Sequence, residues 1–265
     1  MTAPSLAHRL KTAFLTADDG LLMRGAFFGL LAAAGAFLFV DLREMSLASA
    51  ALPGHDPMTT DAPVLPPALT DGVPQAPPVD PESSPEVLRQ PMRFELMPGG
   101  MLEAEGSIDV GASVRFAEEI AARGEYVQAV SLNSPGGSVD DALAMSTLIR
   151  EKGLDTRVAA KAFCASSCPL VFAGGVAREA EADAILGVHQ VFNGGQDRPS
   201  PEQAMSGAQS MTARIARHLD EMGIGSGLWI HALETPPDRL YYLTPQEMVE
   251  FKLTTAPVAT ARQTD

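Results

Sequence analysis

The chain has 265 residues, 46% of them hydrophobic, and a formal net charge of −14. That acidic balance argues against nucleic acid as a partner, because duplex binding draws on clustered Lys and Arg. Two cysteines exclude a disulfide-rich scaffold and a cysteine zinc finger, and no HExxH, metal-ligand histidine spacing or GxxxxGKS/T phosphate loop occurs, so neither metal nor cofactor is expected.

Residues 1–20 are polar and mildly basic and are expected to form a cytoplasmic segment. Residues 21–41, built on the uncharged run GAFFGLLAAAGAFLFV, supply the roughly 20 apolar residues that a helix needs to cross a bilayer. A single transmembrane helix is the first reading. A cleaved signal peptide competes with it, because Ala48–Ser49–Ala50 resembles a small-residue cleavage site, and a buried core helix is the third reading. Arg9, Lys11 and Arg24 on the N-terminal side place the N-terminus in the cytoplasm and the remainder in a periplasm-like compartment, giving a single-pass inner-membrane topology. Residues 42–91 are dense in Pro, Ala, Asp and Ser, which bury too little apolar surface to offset ordering entropy; they read as a disordered linker. Residues 92–258 read as the folded domain and 259–265 as a disordered tail.

Within the domain, MRFEL and MLEAEGSI flank the turn Pro98–Gly99–Gly100 as a hairpin. Residues 110–123 have helical spacing, with Val114, Phe116, Ile120 and Ala121 on one face. Residues 127–133 form a strand running into Ser134–Pro135–Gly136–Gly137, and 139–151 a helix capped by Ser138 with Asp140 and Asp141 in its first turn. A short strand at 156–160, a small apolar helix at 166–173, a strand at 184–188, a long helix at 202–222, a short helix at 228–233, an extended stretch at 241–243 and a helix at 245–251 follow. Strands alternating with helices predict an α/β fold with a largely parallel sheet and flanking helices, with the active site beyond the strand C-termini.

Three segments carry candidate chemistry, each with a bland alternative. The loop 134–137 offers amides at a helix N-terminus for an oxyanion, or is only a tight turn. Ser166 in Cys164–Ala165–Ser166–Ser167–Cys168 is a nucleophile or a helix cap. His189 follows a predicted strand and is a base or a structural histidine. Cys164 and Cys168 have a spacing compatible with a disulfide in an oxidising compartment, or are two buried thiols. Met205, Met211, Met222, Met248, Trp229, Tyr241 and Tyr242 read as packing residues.

In order and spacing, Asn133–Ser134–Pro135–Gly136–Gly137, then Ala165–Ser166, then His189–Gln190 resemble the Clp protease proteolytic subunit (ClpP). They resemble more loosely the signal-peptide-peptidase-A-type membrane proteases, over roughly residues 100–255. The N-terminal span and the CAS-x-C segment are similar to predicted bacterial periplasmic ClpP-like proteins. The resemblance implies a ClpP/crotonase-like core, Ser166 as nucleophile with Ser167 as its competitor, His189 as base, and an oxyanion hole from the Gly136 and Ser167 amides. It also implies peptide or protein substrates and self-association. The chain departs from the pattern at the third catalytic position: Leu240 stands where the family places an Asp, and Asp238 lies two residues earlier. Three functions follow as expectations: a membrane-anchored periplasmic serine peptidase with a triad or a Ser–His dyad, a catalytically inactive ClpP-like interaction module, and a crotonase-type acyl-CoA enzyme. The last is disfavoured by the expected compartment.

Overall fold

Helix α1 (Asp19–Ala51) carries the apolar run, and its stretch Met23–Arg43 is long and apolar enough to cross a membrane. In this computed structural model the described residues are 19–51, 64–70, 73–74, 79–192 and 200–256. The expected cytoplasmic segment up to residue 18, parts of the expected linker, and the tail 259–265 lie outside them. The chain divides into two units, Met1–Gly54 and His55–Asp265.

The second unit is mixed α/β. Strands β1 (Leu69–Thr70) and β2 (Val73–Pro74) pair antiparallel, and a short helix α2 (Pro85–Arg89) follows. The hairpin forms as expected, β3 (Arg93–Met97) against β4 (Met101–Glu105). Then come α3 (Ala112–Arg123), β5 (Ala129–Asn133), α4 (Val139–Glu151), β6 (Asp155–Val158), β7 (Phe163–Ala165), α5 (Cys168–Ala173), β8 (Arg178–Ala180) and β9 (Ile185–Val188). Helices α6 (Pro201–Glu221) and α7 (Ser226–Glu234), strand β10 (Tyr241–Tyr242) and helix α8 (Pro245–Glu250) complete the order.

Two sheets result. One has the order β3-β4-β5-β6-β8, parallel except for the hairpin; the other has the order β10-β9-β7, with β7 and β9 parallel and β10 antiparallel on the edge. A bridge between Ser134 and Cys164 joins them. The strands are short and β-branched or apolar where both faces are covered, as parallel sheets require. The largest fully buried side chains include Phe116, Phe163, Phe172, Leu102, Leu132 and Ile149.

Some expectations change in detail. Helix α3 buries Ala112, Phe116 and Ile120, whereas Val114 is exposed; the buried stripe is narrower than the apolar spacing. Met248 is buried as expected, but Met205 is exposed in the first half of α6. The expected linker is not free as far as residue 91. Leu88 is fully buried and Leu65 and Ala68 nearly so. Residues 64–68 lie along Leu240, because β10 leaves an open sheet edge whose backbone groups need partners. Pro66 and Pro67 suit that place: they lack an N–H, and their carbonyls accept.

Candidate active site

Three strand ends converge. β5 runs into the loop Ser134–Gly137, β7 ends at Ala165 just before Ser166, and β9 ends at Val188 just before His189. Ser134 N–H donates to the Phe163 carbonyl (2.5 Å) and Ala165 N–H to the Ser134 carbonyl (3.1 Å), so the loop and the turn after β7 are tied together. Ser166 N–H donates to the Gly187 carbonyl (3.0 Å), which ties the same turn to the strand that carries His189.

Ser166 has φ +60°, a left-handed conformation that costs a non-glycine residue roughly 1–2 kcal/mol. Such residues persist where the surroundings over-determine them, commonly at functional sites. This geometry also explains why the helix starts at Cys168 rather than at 166. Ser166 is not a cap: its Oγ lies 2.7 Å from His189 Nε2. Ser167 occupies the N-cap position without a capping hydrogen bond, and its hydroxyl donates to the Gly137 carbonyl (3.2 Å), away from the histidine. A disulfide joins Cys164 and Cys168, one on each side of the turn, and both are fully buried.

His189 is buried, and its other ring nitrogen, Nδ1, lies 3.0 Å from the carbonyl oxygen of Pro237. A carbonyl only accepts, so Nδ1 carries the proton and Nε2 is left to accept from Ser166 Oγ–H. Burial pushes the His189 pKa down to about 4, against the opposing pull of the Pro237 carbonyl and the Asp238 charge. The ring is therefore neutral at neutral pH. Asp238, the candidate two residues before the third position at which the chain departs from the family pattern, makes no hydrogen bond to His189; its carboxylate acts on the ring only as a nearby charge. The group that holds the ring is backbone, so residue type in the sequence carried no signal for it beyond its place before Asp238.

The oxyanion loop also differs from expectation. The Gly136 N–H donates back to Ser134 Oγ (3.2 Å) and is engaged within its own loop. Among the described residues, neither the Gly137 amide nor that of Ser167 has a hydrogen-bond partner. Gly137 has φ +145° and is bridged to Ile108, and its carbonyl receives the Ser167 hydroxyl. Gly136 serves by its lack of a side chain: a Cβ there would lie 2.6 Å from Ser166 Cβ and 2.6 Å from the Ala165 carbonyl, at φ +94°.

A cavity of about 670 Å³ opens on this site. Ser166, His189 and Gly137 line it, with an apolar wall that includes Leu170, Met211, Ile215 and Trp229. Met211 and Trp229, read from sequence as packing residues, thus face the cavity as well as the core. Among the described residues no group of His, Cys, Asp or Glu is placed to hold a metal ion. Among the described residues that line the cavity, Arg89 is the one arginine and there is no lysine.

No family model matches the chain, and no curated protein matches it. Among solved structures, a mutant of ClpP1 from Listeria monocytogenes is similar over 62% of this chain and 93% of that one, at 15% identity and a TM-score of 0.48. At that level the similarity transfers no residue role.

Proposed function

We propose that this protein is a membrane-anchored serine peptidase of ClpP-like type, with Ser166 as nucleophile and His189 as general base. The observation that carries the reading is the 2.7 Å contact between Ser166 Oγ and a neutral, buried His189, with the serine held in a left-handed turn at the end of a strand. His189 Nε2 takes the Ser166 proton as Oγ attacks the scissile carbonyl, and later gives it to the leaving amine. The developing oxyanion is received by the free amides of Gly137 and Ser167, in place of the Gly136 and Ser167 pair expected from the motif. The Pro237 carbonyl fixes the tautomer, so the machinery is a Ser–His dyad with a backbone orienter. The apolar cavity wall suits peptide substrates.

The proposed setting is the inner membrane, with α1 as a single anchor, the N-terminus cytoplasmic and the second unit periplasmic. A span of sufficient length supports the anchor, and the Cys164–Cys168 disulfide supports an oxidising compartment. Self-association is part of the proposal, and the first ten residues of α6 are exposed.

A second reading, a catalytically inactive module of the cell envelope, is favoured by one observation: a carbonyl rather than a carboxylate meets His189 Nδ1. Fluorogenic peptides with an apolar residue before the scissile bond separate the two. Cleavage by the full chain in detergent, lost in both Ser166→Ala and His189→Ala, supports the peptidase; cleavage that survives Ser166→Ala contradicts it.

A further inference from the structure

Residues 64–68 come from a stretch whose composition predicts no structure, yet their hydrogen bonds converge on one short segment. Leu240 N–H donates to the Pro66 carbonyl (3.0 Å) and Ala68 N–H to the Leu240 carbonyl (2.7 Å). Arg239 Nη1 donates to the Pro67 carbonyl (3.2 Å), and the Tyr242 hydroxyl to the Leu65 carbonyl (2.7 Å). The Leu65 side chain is buried among Phe163, Ile185, Leu240 and Tyr242, and both Leu65 and Leu240 line the cavity that opens on Ser166. The segment they clasp begins two residues after Pro237, whose carbonyl holds His189 Nδ1. The turn between is closed by Arg239 N–H to the Pro236 carbonyl (3.1 Å).

We propose that residues 64–68 are a positioning strap: by adding as a strand to Leu240 they hold the Pro236–Arg239 turn where the Pro237 carbonyl can fix His189 toward Ser166. The inference rests on the Ser166–His189 reading above. A single neutral hydrogen bond contributes little net, so a carbonyl orients the ring only as firmly as its own backbone is held. β10 is two residues long and among the described residues has one partner strand, β9; the strap bonds to Leu240, the residue just before it. The route runs from the strap to Leu240 and Arg239, along the Pro236–Arg239 turn to the Pro237 carbonyl, and from there by hydrogen bonds to His189 and Ser166. The strap touches no reacting atom. It is a positioning element, and it joins the activity of the site to the chain segment that leads back toward α1.

The groups facing His189 are Ser166 Oγ, the Phe192 ring, the Pro237 carbonyl and the Asp238 carboxylate, so its titration reports the turn directly. The test uses the full chain in detergent with Ala68→Pro, which removes the N–H that Leu240 accepts, and the milder Leu65→Ala. The readouts are the rate of fluorophosphonate labelling and the NMR titration of His189. Ala68→Pro is expected to slow labelling at least tenfold, and to move the His189 midpoint from about 4 toward 6.5 as water reaches the ring. A peptide spanning residues 62–70, added in trans, is expected to restore both. Leu65→Ala should give the same changes at smaller amplitude, and it decides the matter if Ala68→Pro does not fold. The strap is overturned if rate and titration stay at wild-type values while amide exchange shows the Leu240 N–H released. Wild-type protein that never labels contradicts the hydrolase reading alone; the titration still judges the strap.

Discussion

Asp238→Asn removes a charge but keeps the size of the side chain. In a Ser-His-Asp triad the equivalent change costs about ten-thousandfold, because the carboxylate fixes the tautomer and stabilises the imidazolium. Here the tautomer is fixed by the Pro237 carbonyl at 3.0 Å, which the substitution leaves in place. The Asp238 charge is the smallest of the three influences on His189, after burial and the carbonyl. A partly exposed charge of that kind contributes up to about 1 kcal/mol, or roughly fivefold in rate. The expected result is a fall of less than tenfold in kcat/KM for an ester or peptide substrate, with a circular dichroism spectrum unchanged from wild type. A loss of a thousandfold or more in folded protein would refute the backbone-orienter account and restore Asp238 as a triad member.

Gly136→Ala should cost more than 2 kcal/mol in urea denaturation and abolish labelling of Ser166, since its Cβ would meet the Ala165 carbonyl and Ser166 Cβ at 2.6 Å, beside a strained φ. Stability should also fall with acid. The folded-state pKa of His189, about 4, lies below the unfolded value near 6.5, so the unfolded chain binds more protons between those limits. The contribution is intact above pH 6.5 and is lost as pH falls toward 4, by about 3 kcal/mol, with buried His218 acting in the same direction. His189→Gln should flatten that slope in denaturation curves taken from pH 7 to 4. Replacing both Cys164 and Cys168 by Ser should lower stability by about 2 kcal/mol, the value for a short closed loop, and free thiols in unreduced wild-type protein would contradict the bridge.

The segments that sequence reasoning singled out share a property: each follows an apolar strand in an alternating α/β pattern, so position in the fold and residue type point the same way. Strand position alone left each of Ser134–Gly137, Ser166 and His189 with a bland alternative; it was their joint order and spacing, resembling the ClpP motifs, that singled them out, and the strand Phe163–Ala165 that delivers Ser166 was not predicted. What was not legible depends on backbone or on distant contacts. The Pro237 carbonyl has no residue signature. Which of Gly136 and Gly137 offers a free amide depends on the Ser134 hydroxyl turning back on Gly136. The strap was hidden because Pro66 and Pro67 read as linker by composition, whereas an open sheet edge uses prolines as acceptors at no loss. Val114 and Met205 show the converse error, apolar residues assigned to a core that the helices do not reach.

The central claim is that Ser166 is a nucleophile made reactive by His189. Peptide-mapping mass spectrometry of the full chain after exposure to a fluorophosphonate tests it most directly. The account predicts one adduct, on Ser166, absent in Ser166→Ala and strongly slowed in His189→Ala. An adduct on Ser167 instead, or none on wild-type protein that retains its fold, would contradict it.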